Sequence, residues 1–297
     1  MKVGIYYPSW NAPWVSRSSD LDLANIVGKY PGLNWVFISF AKPDLSYTLG
    51  QNSFAGTGLD FSMEFQVVKG AIAMLRSMNI CVMLAVGGAT YWSTEKNFYP
   101  RDIVDLVKDL GCNGVDIDYE APGNGENITR MITVLREVLP RDHYISMAGW
   151  STGAYESDGR YAGSAIHACL NAPLDLVNIM AYDAGPEYNP IKAWNAYKKV
   201  FKGALMLGFE VGQQGWGGYL LKAEDVVRDT AFIKVNGTVE DGIFVWCDKK
   251  EGNPSPKDVI DRAVATFAGP VDDPGEPAPP NGSFSIVCPV CDTTFTS

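Results

Sequence analysis

The sequence predicts an α/β fold, a closed TIM (β/α)8 barrel, and three observations carry that expectation. Short apolar runs alternate in strict order with longer amphipathic ones, there are eight of each, and most of the connections between them are short. The length of 297 residues also suits one such barrel, which typically uses about 250 residues, followed by a short extension.

The first strand is expected at Val3–Tyr7, with a helix over Leu21–Tyr30 behind it. Trp35–Phe40 and Glu64–Met78 form the second pair, Ile80–Val86 and Ile103–Leu110 the third, Val115–Tyr119 and Asn127–Leu139 the fourth. Then come Tyr144–Ala148 with Ala162–Asn171, Leu176–Ala181 with Ile191–Val200, and Ala204–Phe209 with Ala223–Val235. The last pair is Gly242–Trp246 with Lys257–Phe267, whose helix starts on a Ser255 N-cap and Pro256 at its first position. Between the second strand and its helix runs a long excursion rich in Gly, Ser and Asn, Ala41–Ser62, which should rim the C-terminal mouth of the barrel. The barrel domain is therefore expected over residues 1–268. Residues 269–283 carry five Pro and three Gly among acidic residues and read as an extended linker, and residues 284–297 as a short Cys-containing tail.

A formal net charge of −10 argues against nucleic acid and anionic membrane as partners, since both require a basic face. No run of 18 apolar residues exists to span a bilayer, and a monomer is the expected state. The N-terminus enters a strand-like run almost at once and shows no secretion leader. The chain is expected outside the cell if a leader has been removed, and otherwise in the cytoplasm. Six cysteines are too few for a disulfide scaffold at this length. Cys81, Cys169 and Cys247 lie in apolar surroundings that suit free buried thiols, although Cys112 borders a strand next to that of Cys81 and leaves a bridge between them open. Cys288 and Cys291 form a CxxC with no second ligand pair, half a zinc site at most, so neither a metal nor another cofactor is expected.

The chemistry concentrates in Asn113-Gly-Val-Asp116-Ile-Asp118-Tyr-Glu120. Alternate side chains share one face of a strand, so Asp116, Asp118 and Glu120 point one way and Val115, Ile117 and Tyr119 the other. In a barrel the apolar set faces the helices and the acids line the interior, with Glu120 at the C-terminal mouth. Three inward carboxylates are expensive to ionise together, and sharing protons raises at least one of them towards the range of a general acid. Asp118 and Glu120 stand about 6–7 Å apart along one strand, and neither reaches the far face of a sugar's anomeric carbon while the other protonates the leaving oxygen. A nucleophile must come from elsewhere, and a 2-acetamido group on the substrate itself is a candidate.

These residues bring out a resemblance. The chain is similar to glycoside hydrolase family 18, the chitinases and their relatives, over roughly Lys2 to Gly269. The strand-four motif DxxDxDxE, Ala85–Gly88 against the family's SxGG, Met180-Ala-Tyr182-Asp183 against its MxYD, and Trp246 ending the eighth strand carry the likeness, together with Pro8-Ser9-Trp10 after the first. The resemblance implies Glu120 as acid/base, Asp118 as the residue orienting the acetamide, and Asp116 as its partner in proton exchange. It also implies Tyr182 as donor to the acetamide carbonyl, Trp246 as floor of the central subsite, and Met180 and Asp183 as completing the pocket. Tyr7, Phe40 and Trp10 are further candidates for subsite walls. The implied substrate is chitin or a chitooligosaccharide. Asn113 stands where the family has an Asp and Ala85 where it often has a Ser, and both changes are expected to remove partners of Asp116. Only about thirty residues separate Phe209 from Gly242, so the inserted domain of deep-cleft chitinases is missing and an open, endo-acting cleft is expected. A non-hydrolytic chitin-binding protein and an endo-β-N-acetylglucosaminidase acting on N-glycans or peptidoglycan are the alternatives.

Overall fold

Eight parallel strands close into a barrel in which each strand is hydrogen-bonded to the next and the eighth returns to the first. The computed structural model describes residues 1–91, 97–120, 125–156, 162–185, 189–215 and 219–270, and the backbone of 286–287 and 294–295, which pair as two antiparallel strands. Strands β1 to β8 are Lys2–Pro8, Trp35–Ala41, Cys81–Gly87, Gly114–Asp118, Tyr144–Trp150, Leu176–Met180, Ala204–Glu210 and Gly242–Trp246. Helices α1 to α8 are Ile26–Lys29, Phe65–Ser77, Pro100–Leu110, Gly125–Val138, Ile166–Asn171, Pro190–Val200, Ala223–Asn236 and Pro256–Ala268. The expected Ser255 cap is in place, accepting from the Asp258 N–H while the Asp258 carboxylate accepts from Ser255 N–H.

Period-2 alternation divides each strand between two cores. Val36, Ile38, Val82, Leu84, Val115 and Ile117 belong to the set packed between barrel and helices, and Phe37, Met83, Ala85, Met206 and Phe244 to the set filling the barrel. Space inside is tight where strands begin: a Cβ at Gly114 would lie 2.1 Å from the Tyr144 carbonyl oxygen.

Two helices are shorter than the sequence pattern suggests. Only Ile26–Lys29 is helical in the first; Leu21–Ile26 is held by successive three-residue turns, with Asp22 engaged by Tyr7 and Lys249. In the fifth, Gly163 adopts φ +72° and the helix begins at Ile166. Strand β4 ends at Asp118, two residues short of Glu120. Cys81, Cys112, Cys169 and Cys247 are free thiols, with no bridge between Cys81 and Cys112; burial pushes those two up to about 12. Cys288, Cys291 and nearly all of the Pro/Gly-rich segment lie outside the described residues. Among the described residues no helix is long and apolar enough to cross a membrane.

Candidate active site

A cleft of about 490 Å³ opens at the C-terminal mouth, where barrel enzymes carry their chemistry. Asp118 and Glu120 reach it from the end of β4, Met180, Tyr182 and Asp183 from β6 and the residues after it, and Trp246 from β8. Phe40, Trp10, Gly58 and Asp60 complete it on the β1–β2 side, the last two from the excursion after β2.

Asp116 lies deepest and is fully buried. Its carboxylate accepts from Tyr6 Oη at 2.7 Å, Ser146 Oγ at 2.6 Å and Asn178 Nδ2 at 3.1 Å. These donors favour the ionised form, yet burial outweighs them and pushes the acid up to about 6. Asp118, 4% exposed, is raised well above the usual range by burial, then by the charges of Glu120 and Asp116. Burial pushes Glu120 up to about 7; the Ala89 N–H opposes this by donating to the carboxylate, while Asp183 adds to it. A ladder of acids along β4 and just past its end, the outermost held up to about 7, is suited to general acid–base work.

The Gly87-Gly88 pair earns its place geometrically. Both have positive φ, +118° and +76°, and a Cβ at Gly88 would fall 2.8 Å from the Phe40 ring. Their turn lets Gly88 N–H bond the Asp118 carbonyl at 2.9 Å and aims the next amide, Ala89, at Glu120.

Aromatic rings form one continuous surface beside the acids. Trp246 stacks on Phe40 at 5.7 Å between centroids and Phe40 on Trp10 at 6.1 Å, while Tyr6 meets Trp246 edge-on from below. Such a surface matches the apolar faces of successive sugar rings. The Tyr182 hydroxyl is held protonated, raised first by burial and then by Asp118 and neighbouring acids, so it is available as a donor.

Of the candidates read from the sequence, Glu120, Asp118, Tyr182, Met180, Asp183, Trp246, Phe40 and Trp10 converge on the cleft, with Asp116 beneath it. Tyr7 does not. It is fully buried on the helix-facing side of β1 and donates its hydroxyl to Asp22, because its parity is that of Val3 and Ile5. Its neighbour Tyr6 faces inward and bonds Asp116. Asn113 also departs from expectation: its side chain accepts the Val82 N–H at 2.9 Å at the foot of β3 and β4, away from Asp116. Ala85 does lie beside Asp116 in register and offers no hydroxyl; Ser146, in register on the other side, supplies one. Tyr6 and Ser146 went unnoticed in the sequence, though each follows from strand parity, and Ser146 is the single polar residue inside an apolar strand.

Burial of these acids bears on stability. Between the ordinary carboxylate range and about pH 7 the folded chain retains protons that the unfolded chain releases, so stability falls as pH rises through that window. Glu120→Gln removes one such group and should raise the melting temperature at pH 7.5, by about 2–4 °C for each kcal/mol recovered. It should also narrow the difference between pH 5 and pH 7.5. Calorimetry showing an unchanged or lower melting temperature at pH 7.5 would mean that Glu120 carries no burial penalty.

Comparison with known proteins agrees with this geometry. The family model described as glycosyl hydrolases family 18 matches residues 2–246. A chitinase of Plasmodium falciparum (isolate 3D7) is 31% identical over 176 residues, 52% of this chain and 44% of that protein. Endochitinase 1 of Metarhizium anisopliae is 27% identical over 195 residues, 60% of this chain and 44% of that one. The chain thus spans less than half the length of these relatives. Among solved structures, a GH18 chitinase from Pseudoalteromonas aurantia superposes with TM-score 0.64 at 20% identity, covering 90% of this chain and 100% of that one. A fungal endo-β-N-acetylglucosaminidase of the same family superposes with TM-score 0.66 at 16% identity, covering 90% and 97%. These two likenesses establish the barrel.

Proposed function

This chain belongs to glycosyl hydrolases family 18, and we propose that it is a chitinase, hydrolysing β-1,4 links between N-acetylglucosamine units. The observation that supports this most directly is the ladder Asp116–Asp118–Glu120 along β4 and just past its end, with Tyr182 and Trp246 in the same cleft. Glu120 is the proton donor to the leaving oxygen. Asp118 accepts the acetamide N–H and Tyr182 donates to its carbonyl, which turns the acetamide oxygen towards the anomeric carbon. Asp116, held by Tyr6, Ser146 and Asn178, exchanges a proton with Asp118 as charge moves up the ladder. Trp246 packs against the central sugar, Met180 and Asp183 enclose it, and Phe40 and Trp10 take the next rings.

Endo-action is part of the proposal. Strands β7 and β8 are joined by α7 and its flanking loops, with no room for an inserted domain to roof the cleft. Assays on a chitooligosaccharide, an N-glycopeptide and peptidoglycan should show cleavage of the first at internal bonds and negligible turnover of the others. Release of a free glycan from the N-glycopeptide alone would replace this reading with that of an endo-β-N-acetylglucosaminidase. Binding of the chitooligosaccharide without cleavage would make the chain a lectin.

A further inference from the structure

One more inward acid stands at the mouth of the barrel, and the proposed chemistry leaves it unused. Glu210 ends β7 in register with Trp246, and Gly208, two residues earlier on the same face, lies where an added Cβ would come 2.8 Å from the Tyr182 ring. Glu210 is 4% exposed. Lys250, in the connection from β8 to α8, donates to Oε1, while Oε2 is buried with no hydrogen-bond partner among the described residues. A half-satisfied buried carboxylate is destabilising, and its presence at the functional end of a barrel strand points to a role.

Its neighbours indicate which role. Burial pushes Glu210 up to about 7 against the pull of the Lys250 hydrogen bond, and Asp183 is near enough to push it further. Tyr182 and Asp183 lie beyond the end of β6, so the sheet ladder no longer holds them. Asp183 has φ +53°, and its N–H donates to Gln214 Oε1 at 2.7 Å. Gln214 follows Glu210 by four residues, so this wall of the cleft is fixed from the β7 side. On the outer flank of Glu210, Tyr219 and Arg228 satisfy Asp225, and Arg228 also bonds Asp229. Arg228 is thus taken up by Asp225 and Asp229, and among the described residues the cation bonded to Glu210 is Lys250.

We propose that Glu210 and Lys250 act as a positioning charge pair for the Tyr182–Asp183 wall, setting the potential under which Glu120 holds its proton. The inference rests on the reading of Glu120 as proton donor. Asp183 links the pair to the acid, since its charge favours the protonated form of Glu120. As Glu210 ionises, its charge answers the Lys250 cation bonded to it. With a neutral residue at 210 that cation stays unanswered at the end of β7 at every pH, and Glu120 releases its proton at lower pH.

The test is the pH profile of kcat/KM on a chitooligosaccharide for the wild type, Glu210→Gln, Lys250→Met and the double variant. Glu210→Gln should move the alkaline limb to lower pH by about half a unit, and the double variant should bring it back to the wild-type position. An unmoved limb in Glu210→Gln overturns the proposal, and so does a double variant whose limb stays with that of Glu210→Gln. Lys250→Met alone should leave the limb at or above the wild-type position, and a shift to lower pH there would equally overturn it, even if Glu210→Gln failed to fold. Should the wild type cleave no N-acetylglucosamine oligosaccharide, the functional reading fails instead. The pair is then tested by carboxyl ¹³C NMR, in which the Glu120 midpoint must fall in Glu210→Gln for the inference to stand.

Discussion

Glu120→Gln should reduce hydrolysis of a chitooligosaccharide by about 10²–10⁴-fold or more while leaving its binding within a few-fold of wild type. The amide keeps the size of the acid and can still accept from Ala89 N–H, but it has no proton to give the leaving oxygen. On the proposed reading, binding relies on the aromatic surface of Trp246, Phe40 and Trp10, which the change does not touch. The same acid should set the alkaline side of the pH profile. Held up to about 7, Glu120 is protonated below that pH and loses its proton as pH rises through it, so kcat/KM should fall above neutrality. Steady-state kinetics and fluorescence titration on the same preparation separate the two effects. A variant that keeps a third of the wild-type rate, or a rate still climbing above pH 9, would remove Glu120 from the role of donor.

How far the sequence leads can be read from single strands. The eight strands are legible because each is a short apolar run closed by turn residues, and β4 is legible in chemical detail because its acids alternate with Val115, Ile117 and Tyr119. The same rule applied to β1 separates Tyr6 from Tyr7, but two adjacent tyrosines give either register an aromatic face, and a slip of one residue exchanges core and cleft. Asn113 reads as part of the acid network because it holds the first position of the strand-four motif; three residues along a strand are about 10 Å, enough to put it at the foot of the barrel. Glu210 was illegible for another reason. It reads as the polar end of an apolar strand, and its meaning depends on Lys250, forty residues later, and on Asp183 past the end of the neighbouring β6. Pairings that the barrel closure creates between distant segments leave no local signature.

Replacing the substrate's 2-acetamido group by hydroxyl should leave an oligosaccharide that binds the cleft but is nearly inert, and this follows from where the acids stand. Asp116 and Asp118 lie on β4 and Glu120 two residues past its end, so all three acids come to the cleft from one segment of chain. The two common carboxylate schemes need a second group on the opposite face of the sugar, as nucleophile or as base for water. An acetamide oxygen turned by Asp118 and Tyr182 meets that need from within the substrate. On the proposed mechanism its attack inverts the anomeric carbon and gives an oxazolinium ion, and water, activated by the Glu120 carboxylate now left behind, inverts it again. The first product from a β-linked chain should therefore be the β-anomer, visible by proton NMR before mutarotation. Apart from Asp118 and Glu120, the described lining holds two carboxylates, Asp60 and Asp183; Asp183, whose charge is felt at Glu120, is the candidate to compete with the acetamide for the nucleophile's role. The acetamide-free substrate separates the two: Asp183 as nucleophile would still turn it over with retention and trap a covalent glycosyl-enzyme, whereas the assisted route stops. An α-anomer as first product would exclude both and require water activated directly, with the acids of β4 reassigned accordingly.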